Sequence, residues 1–366
     1  MTGSALPELQ QAIERLLAFL AQDGCTDAEF DEVAAQLFTL QYTHDEPYRR
    51  FCQRRGLTPR RLAGWRDIPP VPISAFKDST LSCVPPDECE RVFMTSGTTR
   101  GEVRGRNHHP VIAVWDLSMR RNFARRFMQG APRMRMATLF PDEGELPNSS
   151  LARYLSLASR SFGAPGSRAY VSAAGGLDVE GVCRALGDAV AAGEAIALMG
   201  ASFSFVHLLD ALRERGIAFT LPAGSRILDT GGYKQQAREV PLDEFYDGLA
   251  QAFGVPRARC INMYGMTELS SQLYDDGNAA VPSVKSGPHW IRTRVLDPLT
   301  GREVAPGERG VLAHCDLANF NSATTILTED VGVAVPGGFL LLGRAEGAEA
   351  KGCSLAVQAF LEAARP

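Results

Sequence analysis

The feature that most constrains this chain is an alternation of helical periodicity with short apolar runs in its middle third. Helical patterns over 179–192, 203–215 and 242–253 are separated by "AIALMG", "RILDTGG" and "CINMYG". Strand and helix in turn predict an α/β domain on a largely parallel sheet. Upstream, Leu9, Ile13, Leu16, Leu17 and Leu20 form one helical stripe, and Phe30, Val33, Ala34, Leu37 and Phe38 a second. Residues 1–56 therefore read as a helical lead-in. The prolines of "IPPVPISAF" exclude helix and predict an extended segment. Trp115, Met119, Phe123 and Phe127 recur every four residues, with Pro110 placed to start their helix. Near the end, "VLAHCDL" and "GGFLLLGR" read as strands of a smaller β subdomain, with turns at "PGERG" and "VPGGF".

Three glycine-bearing loops follow strand-like runs: "MTSGTT" after Val92 and Phe93, "DTGGYK" after Leu228, and "MYGMTE" after Ile261. Open parallel sheets bind ligands beyond the carboxyl ends of their strands, so all three fall where function concentrates. Taken singly each has a plain alternative. Thr95–Thr99 also fits a polar turn, Gly231-Gly232 a helix-entry turn, and Glu268 a solvated acid at a helix start. Taken together they fit a triphosphate. Thr95, Ser96, Gly97, Thr98 and Thr99 offer hydroxyls and amides that wrap phosphates without a fixed countercharge. Glu268 is a hard oxygen ligand for Mg²⁺, and Tyr264 offers a flat face for a purine. The Gly-Lys-Ser/Thr ending of a P-loop is missing.

Composition narrows the class. The 366 residues are 45% hydrophobic and 22% charged, with a net charge of −4. That balance belongs to a globular protein and argues against nucleic acid or an anionic membrane as the main partner. No apolar run reaches membrane-span length, and the N-terminus does not read as a signal peptide. The eight cysteines contain no Cys-x-x-Cys pair, so reduced thiols in a cytoplasm are expected.

"TSGTT" followed by "YGMTE" resembles the adenylate-forming superfamily of acyl-CoA synthetases and adenylation domains. "DTGG" is similar to its adenine-side glycines, and "LTED" with "GGFLLLGR" to its Thr-Gly-Asp and Gly-Arg motifs. The resemblance implies ATP and Mg²⁺ as cofactors. It implies phosphates at Thr95–Thr99 and Thr267, Mg²⁺ at Glu268, adenine at Tyr264 with Gly231 and Gly232 on its side, nucleotide binding at Gly265 and Met266, and ribose at Asp330 with Arg344 near it. It also implies the large α/β N-domain fold over 1–345. Here Arg100, Arg104 and Arg106 stand where a Lys is usual. The 22 residues after Arg344 leave no room for the small lid domain and its catalytic lysine, so the expected fold lacks that lid.

A narrower branch, the LuxE-type acyl-protein synthetases, resembles the chain more fully through "IPPVPISAFKD", "GRNHHP" and "GCSLA". That resemblance implies that Cys353 carries the acyl group as a thioester. Cys353 by itself is equally a small packing residue, but Gly352 and Ser354 around it predict a helix start, where thiolate is favoured. Residues 345–352, "AEGAEAKG", are then expected to act as a short mobile arm on which the tail 346–366 changes position. Lys77 is either a surface lysine or a substitute for the lid lysine. His108 or His109 lines the acyl pocket or meets the carboxylate.

The expected reaction is ATP-dependent activation of a fatty or related carboxylic acid to an acyl-adenylate, transfer to Cys353, and delivery to a partner. That partner is a reductase, a carrier protein, or a small thiol or amine. Two alternatives stand beside it: direct formation of an acyl-CoA or amide with Cys353 inert, and a nucleotide-binding subunit without catalysis.

Overall fold

The computed structural model describes residues 7–96, 103–232 and 237–364. Its chain divides into two units. The first comprises Met1–Met119, Met266–Ser271 and Gly287–Pro366; the second comprises Arg120–Gly265 and Gln272–Ser286.

In the first unit the lead-in forms three helices, Pro7–Leu20, Asp27–His44 and Glu46–Arg54. The second is started by a capping box. Thr26 Oγ1 accepts from Glu29 N–H at 3.2 Å, and the Glu29 carboxylate accepts from Thr26 N–H at 2.7 Å. Asp45 ends that helix and caps the third through Tyr48 N–H at 3.0 Å. The predicted apolar stripes are the buried faces, except that Leu17 is only half-buried while Ala12 and Phe19 join the first. The prolines place Val71–Pro72 as a short strand, parallel to Thr325–Val335 with Val71 opposite Ile326. The chain then turns at once into the short helix Ala75–Asp78, so Lys77 sits on a helix rather than at the end of an extended segment.

Strands Ile291–Leu296, Arg309–Asp316, Thr325–Val335 and Gly338–Arg344 form an antiparallel meander. This is the expected β region, and it shares a unit with the lead-in. A separate hairpin pairs Arg91–Met94 with Arg106–His109. The tail forms one long helix, Gly347–Ala364. It is fastened by Phe360 against Phe51 (ring centroids 4.9 Å apart), by Arg50 donating to the Ala364 carbonyl at 3.0 Å, and by a two-pronged Arg309–Glu349 pair at 2.7 and 3.0 Å.

The second unit is the predicted α/β element. Its sheet runs in the order Leu273–Tyr274, Cys260–Tyr264, Arg226–Thr230, Ile196–Ala201, Arg135–Leu139, Arg168–Ala169. All neighbouring pairs are parallel except the short edge strand Leu273–Tyr274. Every residue of Ile196–Ala201 and of Arg226–Thr230 is buried, which explains why the first reads as an unbroken apolar run; the second keeps only Ile227 and Leu228 apolar, with Arg226, Asp229 and Thr230 buried around them. Helices Val179–Ala192, Ser202–Glu214 and Leu242–Phe253 contribute Leu186, Phe205 and Phe245 to the core over these strands. The helix foreseen from Pro110 begins later, at Ala113, and passes at Phe123 into a π-turn, Ala124–Met128. Trp115, Met119, Phe123 and Phe127 are all buried, as their spacing requires.

Candidate active site

The hairpin in the first unit sets the neck of the Ser/Thr loop. Thr95 N–H donates to the Gly105 carbonyl, and Gly105 N–H donates to Thr95 Oγ1, both at 3.0 Å. The Thr95 hydroxyl is therefore engaged in closing the loop. Ser96 is exposed at its start, while Gly97, Thr98, Thr99 and Arg100 lie outside the described residues. A Cβ on Gly105 would lie 3.2 Å from Thr95 Cγ2, 3.4 Å from Glu268 Oε1 and 3.5 Å from Phe76 Cβ. The loop neck, the acid of the Thr-Glu pair and the helix carrying Lys77 thus converge at one glycine.

Glu268 lies in a turn at Thr267–Glu268, not at a helix start, and is only 6% exposed. Burial pushes its carboxyl up to about 7; the neighbouring charge of Glu329 adds to the rise, while Arg344 and Lys77 oppose it. Arg344 is bound on the adjacent strands, donating to Asp330 Oδ1 at 3.1 Å and to Glu329 Oε2 at 2.6 Å. Asp330 and Arg344 are register partners on Thr325–Val335 and Gly338–Arg344. The expected ribose acid and its arginine therefore form one ion pair, and Glu268, Lys77 and Arg344 share one electrostatic neighbourhood.

His108 and His109 point to opposite faces of Arg106–His109, and both faces are buried. Burial holds His109 down to about 3 and lowers His108, with Arg106 adding to the effect on His108. Both rings are neutral near pH 7. His108 Nδ1 and His109 Nε2 have no hydrogen-bond partner among the described residues.

The turn that carries Thr267 and Glu268 hangs on side chains that belong to none of the motifs above. Asn107 Nδ2 donates to the Thr267 carbonyl at 3.0 Å, and Asn319 Nδ2 to the Glu268 carbonyl at 3.0 Å. Ser270 and Ser271 N–H groups donate to Asp316 Oδ2 at 2.9 and 2.8 Å. Gln41, from the lead-in, donates to the carbonyls of Asn319 and Phe320 and accepts from Thr324 N–H and Oγ1. Each of these polar side chains is at most 2% exposed. The only sequence signal was a run of small and amide residues, "DLANFNSATT", between two strand-like stretches.

The structure alters the expected setting of Cys353. It lies within the second turn of Gly347–Ala364, not at a helix start, and Ser354 Oγ donates back to the Ala350 carbonyl instead of capping. Residues 347–352 are helical rather than an extended arm, and Leu355 is exposed. The thiol is buried with Leu296, Val311, Ala313 and Leu327, and its Sγ lies 3.9 Å from the Thr328 carbonyl. Burial, with Glu329 and Glu349 nearby, pushes it up to about 11.

In the second unit Gly231 has φ of +73°, a left-handed conformation that favours glycine, and both Gly231 and Gly232 are exposed. Ser202 Oγ lies within hydrogen-bond distance of Asp229 Oδ2 (2.9 Å) and the Thr230 and Gly231 carbonyls (3.2 and 3.1 Å). Asn262 and Tyr246 also donate to Asp229, whose carboxyl burial raises to about 6. Tyr264 ends its strand at 8% exposure, and Gly265 and Met266 follow it.

Among the described residues no group of three or more His, Cys, Asp or Glu side chains is placed to hold a metal ion. Mg²⁺ is commonly held by one or two carboxylates together with substrate phosphates, and a buried acid with a raised pKa fits that donor set. Among the described residues no helix is long and apolar enough to cross a membrane.

The family described as acyl-protein synthetase, LuxE, matches residues 28–361. A long-chain-fatty-acid–luciferin-component ligase of Vibrio harveyi is 26% identical over 342 residues, covering 88% of this chain and 86% of its own. Its namesake in Aliivibrio fischeri is 26% identical over 314 residues, covering 83% and 78%. The fold is similar to that of 2-hydroxyisobutyryl-CoA ligase in complex with 2-HIB-AMP, with a TM-score of 0.62, 18% identity, and coverage of 88% of this chain and 69% of that one. It is also similar to ATP-bound MatB from Rhodopseudomonas palustris, with a TM-score of 0.52, 18% identity, and coverage of 71% and 49%.

Proposed function

The chain belongs to the LuxE acyl-protein synthetases, and we propose that it activates a long-chain or related carboxylic acid and carries the acyl group on Cys353. It is an ATP-dependent carboxylate ligase on an adenylate-forming fold. In the first step a carboxylate oxygen bonds to the α-phosphorus of ATP and the bond to pyrophosphate breaks, giving an acyl-adenylate. In the second, the Cys353 thiol loses its proton, sulfur bonds to the acyl carbon, and AMP leaves with the electron pair. A partner thiol, amine or reductase then takes the acyl group.

The observation that supports this reading most is the setting of Glu268: a buried acid beside the loop neck, with Lys77 and Arg344 within electrostatic reach. A bound Mg²⁺ supplies charge neutralisation for the phosphates there. Glu268 offers its carboxylate to that ion, and Lys77, exposed on its short helix, offers a cation toward the developing charge. Asp330 accepts from the ribose hydroxyls while Arg344 holds it. His108, which burial holds toward its neutral form and whose Nδ1 has no partner among the described residues, lines the approach of the carboxylate. Thr267 contacts phosphate, and Tyr264, Gly265, Met266, Gly231 and Gly232 are assigned to adenine.

The burial of Cys353 favours one second reading, in which the thiol is a packing residue and the acyl-adenylate passes directly to an external thiol or amine. A panel of carboxylic acids assayed for pyrophosphate release, with the wild type and Cys353→Ser, separates the two. We expect release with long-chain acids from both proteins and labelled acyl-protein from the wild type alone. Pyrophosphate release with no acyl-protein on the wild type would leave the direct ligase; no release with any acid would leave a nucleotide-binding protein without catalysis.

A further inference from the structure

Met266–Ser271 leaves its strand without entering a helix. Its one internal backbone bond runs from Leu269 N–H to the Met266 carbonyl. Buried backbone polar groups are nearly always paired, so the question is what holds the rest. The Thr267 and Glu268 carbonyls are each met by a side-chain amide, those of Asn107 and Asn319. The two amides are joined, since Asn107 Nδ2 also donates to Asn319 Oδ1 at 3.1 Å. Each is otherwise satisfied. Asn107 Oδ1 accepts from Ser322 Oγ at 3.1 Å; Asn319 Nδ2 donates to the Ala323 carbonyl at 2.8 Å, and its Oδ1 accepts from Ser270 Oγ at 3.1 Å. They are 0% and 2% exposed.

We propose that Asn107 and Asn319 are positioning residues for Glu268, fixing the backbone on both sides of its Cα and hence the direction of its carboxylate. Asn107 has a second part. It stands two residues beyond Gly105, on the strand returning from the Ser/Thr loop, so one amide ties that loop's arm to the carbonyl preceding Glu268. Few other side chains do this. An amide offers two donors and an acceptor in one plane. A carboxylate would face the carbonyl with like charge, and an aliphatic group would leave the carbonyl unpaired.

The inference rests on the metal reading of Glu268, so its test includes Glu268→Gln. The probe is Mn²⁺, titrated against the protein with ATP and read by electron paramagnetic resonance, alongside the Mg²⁺ dependence of pyrophosphate release. The variants are Asn107→Ala and the near-isosteric Asn319→Asp. The control is Asn321→Ala. Asn321 is also buried and amide-bonded, to the His108 carbonyl and Ser82, but does not touch the turn. We expect both test variants to raise half-saturation by Mn²⁺ at least tenfold, with the KM for ATP at saturating metal within threefold of wild type. The control should stay within threefold on both measures. Should Asn107→Ala fail to fold, Asn319→Asp carries the same expectation. Wild-type Mn²⁺ affinity in the test variants, with Glu268→Gln weakened, overturns this inference and leaves the metal reading standing. Wild-type affinity in Glu268→Gln overturns both. An equal loss in Asn321→Ala reduces the effect to general destabilisation and also overturns the inference.

Discussion

If Cys353 receives the acyl group, it must leave the site in which the structure holds it, and the tail anchors set how hard that is. With its thiol pushed up to about 11, about 0.03% is thiolate at pH 7.5. An ordinary cysteine with pKa near 8.5 is roughly 9% thiolate there, so ionisation alone slows the resting thiol on the order of 300-fold. Of the anchors, the Arg309–Glu349 pair involves a half-exposed arginine, so water and salt screen it and it holds the helix only weakly. Phe360 is fully buried against Phe51, and truncating such a ring costs about 3–5 kcal/mol. If even the lower figure falls on undocking of the helix, Phe360→Ala raises the undocked population on the order of 100-fold. Pulsed alkylation with iodoacetamide, resolved by peptide mass spectrometry and normalised to the half-buried Cys25, reads that population. Resting wild-type Cys353 is expected to label at least 100-fold more slowly than a free thiol. Phe360→Ala should speed it at least tenfold, as should ATP, Mg²⁺ and a substrate acid added to the wild type. Labelling of the resting wild type at the free-thiol rate, or no acceleration in a folded Phe360→Ala protein, would refute the reasoning.

Two smaller perturbations probe the loops. Ser202→Ala removes the hydroxyl shared by Asp229 and the Thr230 and Gly231 carbonyls. It should raise the KM for ATP about three- to tenfold with kcat within twofold, since a typical hydrogen bond contributes about 1 kcal/mol; a fall in kcat at unchanged KM would contradict the loop's assignment to adenine. Gly105→Ala places a methyl at 3.2 Å from Thr95 and 3.4 Å from Glu268 without demanding a new backbone conformation. Adenylation should drop at least fivefold while the melting temperature moves by only a few degrees, and full activity would show that the neck and the acid need not stay in register.

The parallel sheet was legible because its strands are buried on both faces, so Ile196–Ala201 reads as an unbroken apolar run, and Ile227 and Leu228 give Arg226–Thr230 a short apolar centre between helical patterns. The Glu268 and Asp330 assignments rested on motifs that are local in sequence. The amide network under Glu268 was not legible, because Gln41, Asn107 and the pair Asp316 and Asn319 come from three distant segments. An asparagine in "DLANFNSATT" looks the same whether it faces water or two buried carbonyls. Cys353 misled for a related reason. Gly352 beside it suggested a helix boundary, but that glycine sits inside the helix where a Cβ would lie 2.7 Å from Pro298 Cβ, so it serves close packing. Close approach and chain termination call for the same residue, and one sequence does not distinguish them.

Glu268 offers a case in which stability and function pull in opposite directions. Its carboxyl is raised from an ordinary value of 4.5 to about 7, chiefly by burial. The folded state therefore holds the proton more tightly than the unfolded chain does. Below about pH 4.5 both states are protonated and the residue adds no penalty. Between about 4.5 and 7 the unfolded chain releases its proton first, so stability falls as pH rises. Above about 7 the full cost applies, on the order of 3 kcal/mol for that difference at 1.36 kcal/mol per pH unit. Glu268→Gln keeps the shape and removes the titration. Without ligands it should be more stable than wild type by up to about 3 kcal/mol at pH 8, and close to it at pH 5, as read by urea unfolding. Its adenylation should be at least tenfold slower, the size of loss seen when a stabiliser of transition-state charge is removed. ATP with Mg²⁺ should then stabilise wild type more than the variant, because the cation restores a partner for the ionised acid. A variant less stable than wild type at pH 8, or a difference that does not change with pH, would mean that Glu268 is ionised and compensated within the resting fold, leaving no reason for it to await a cation.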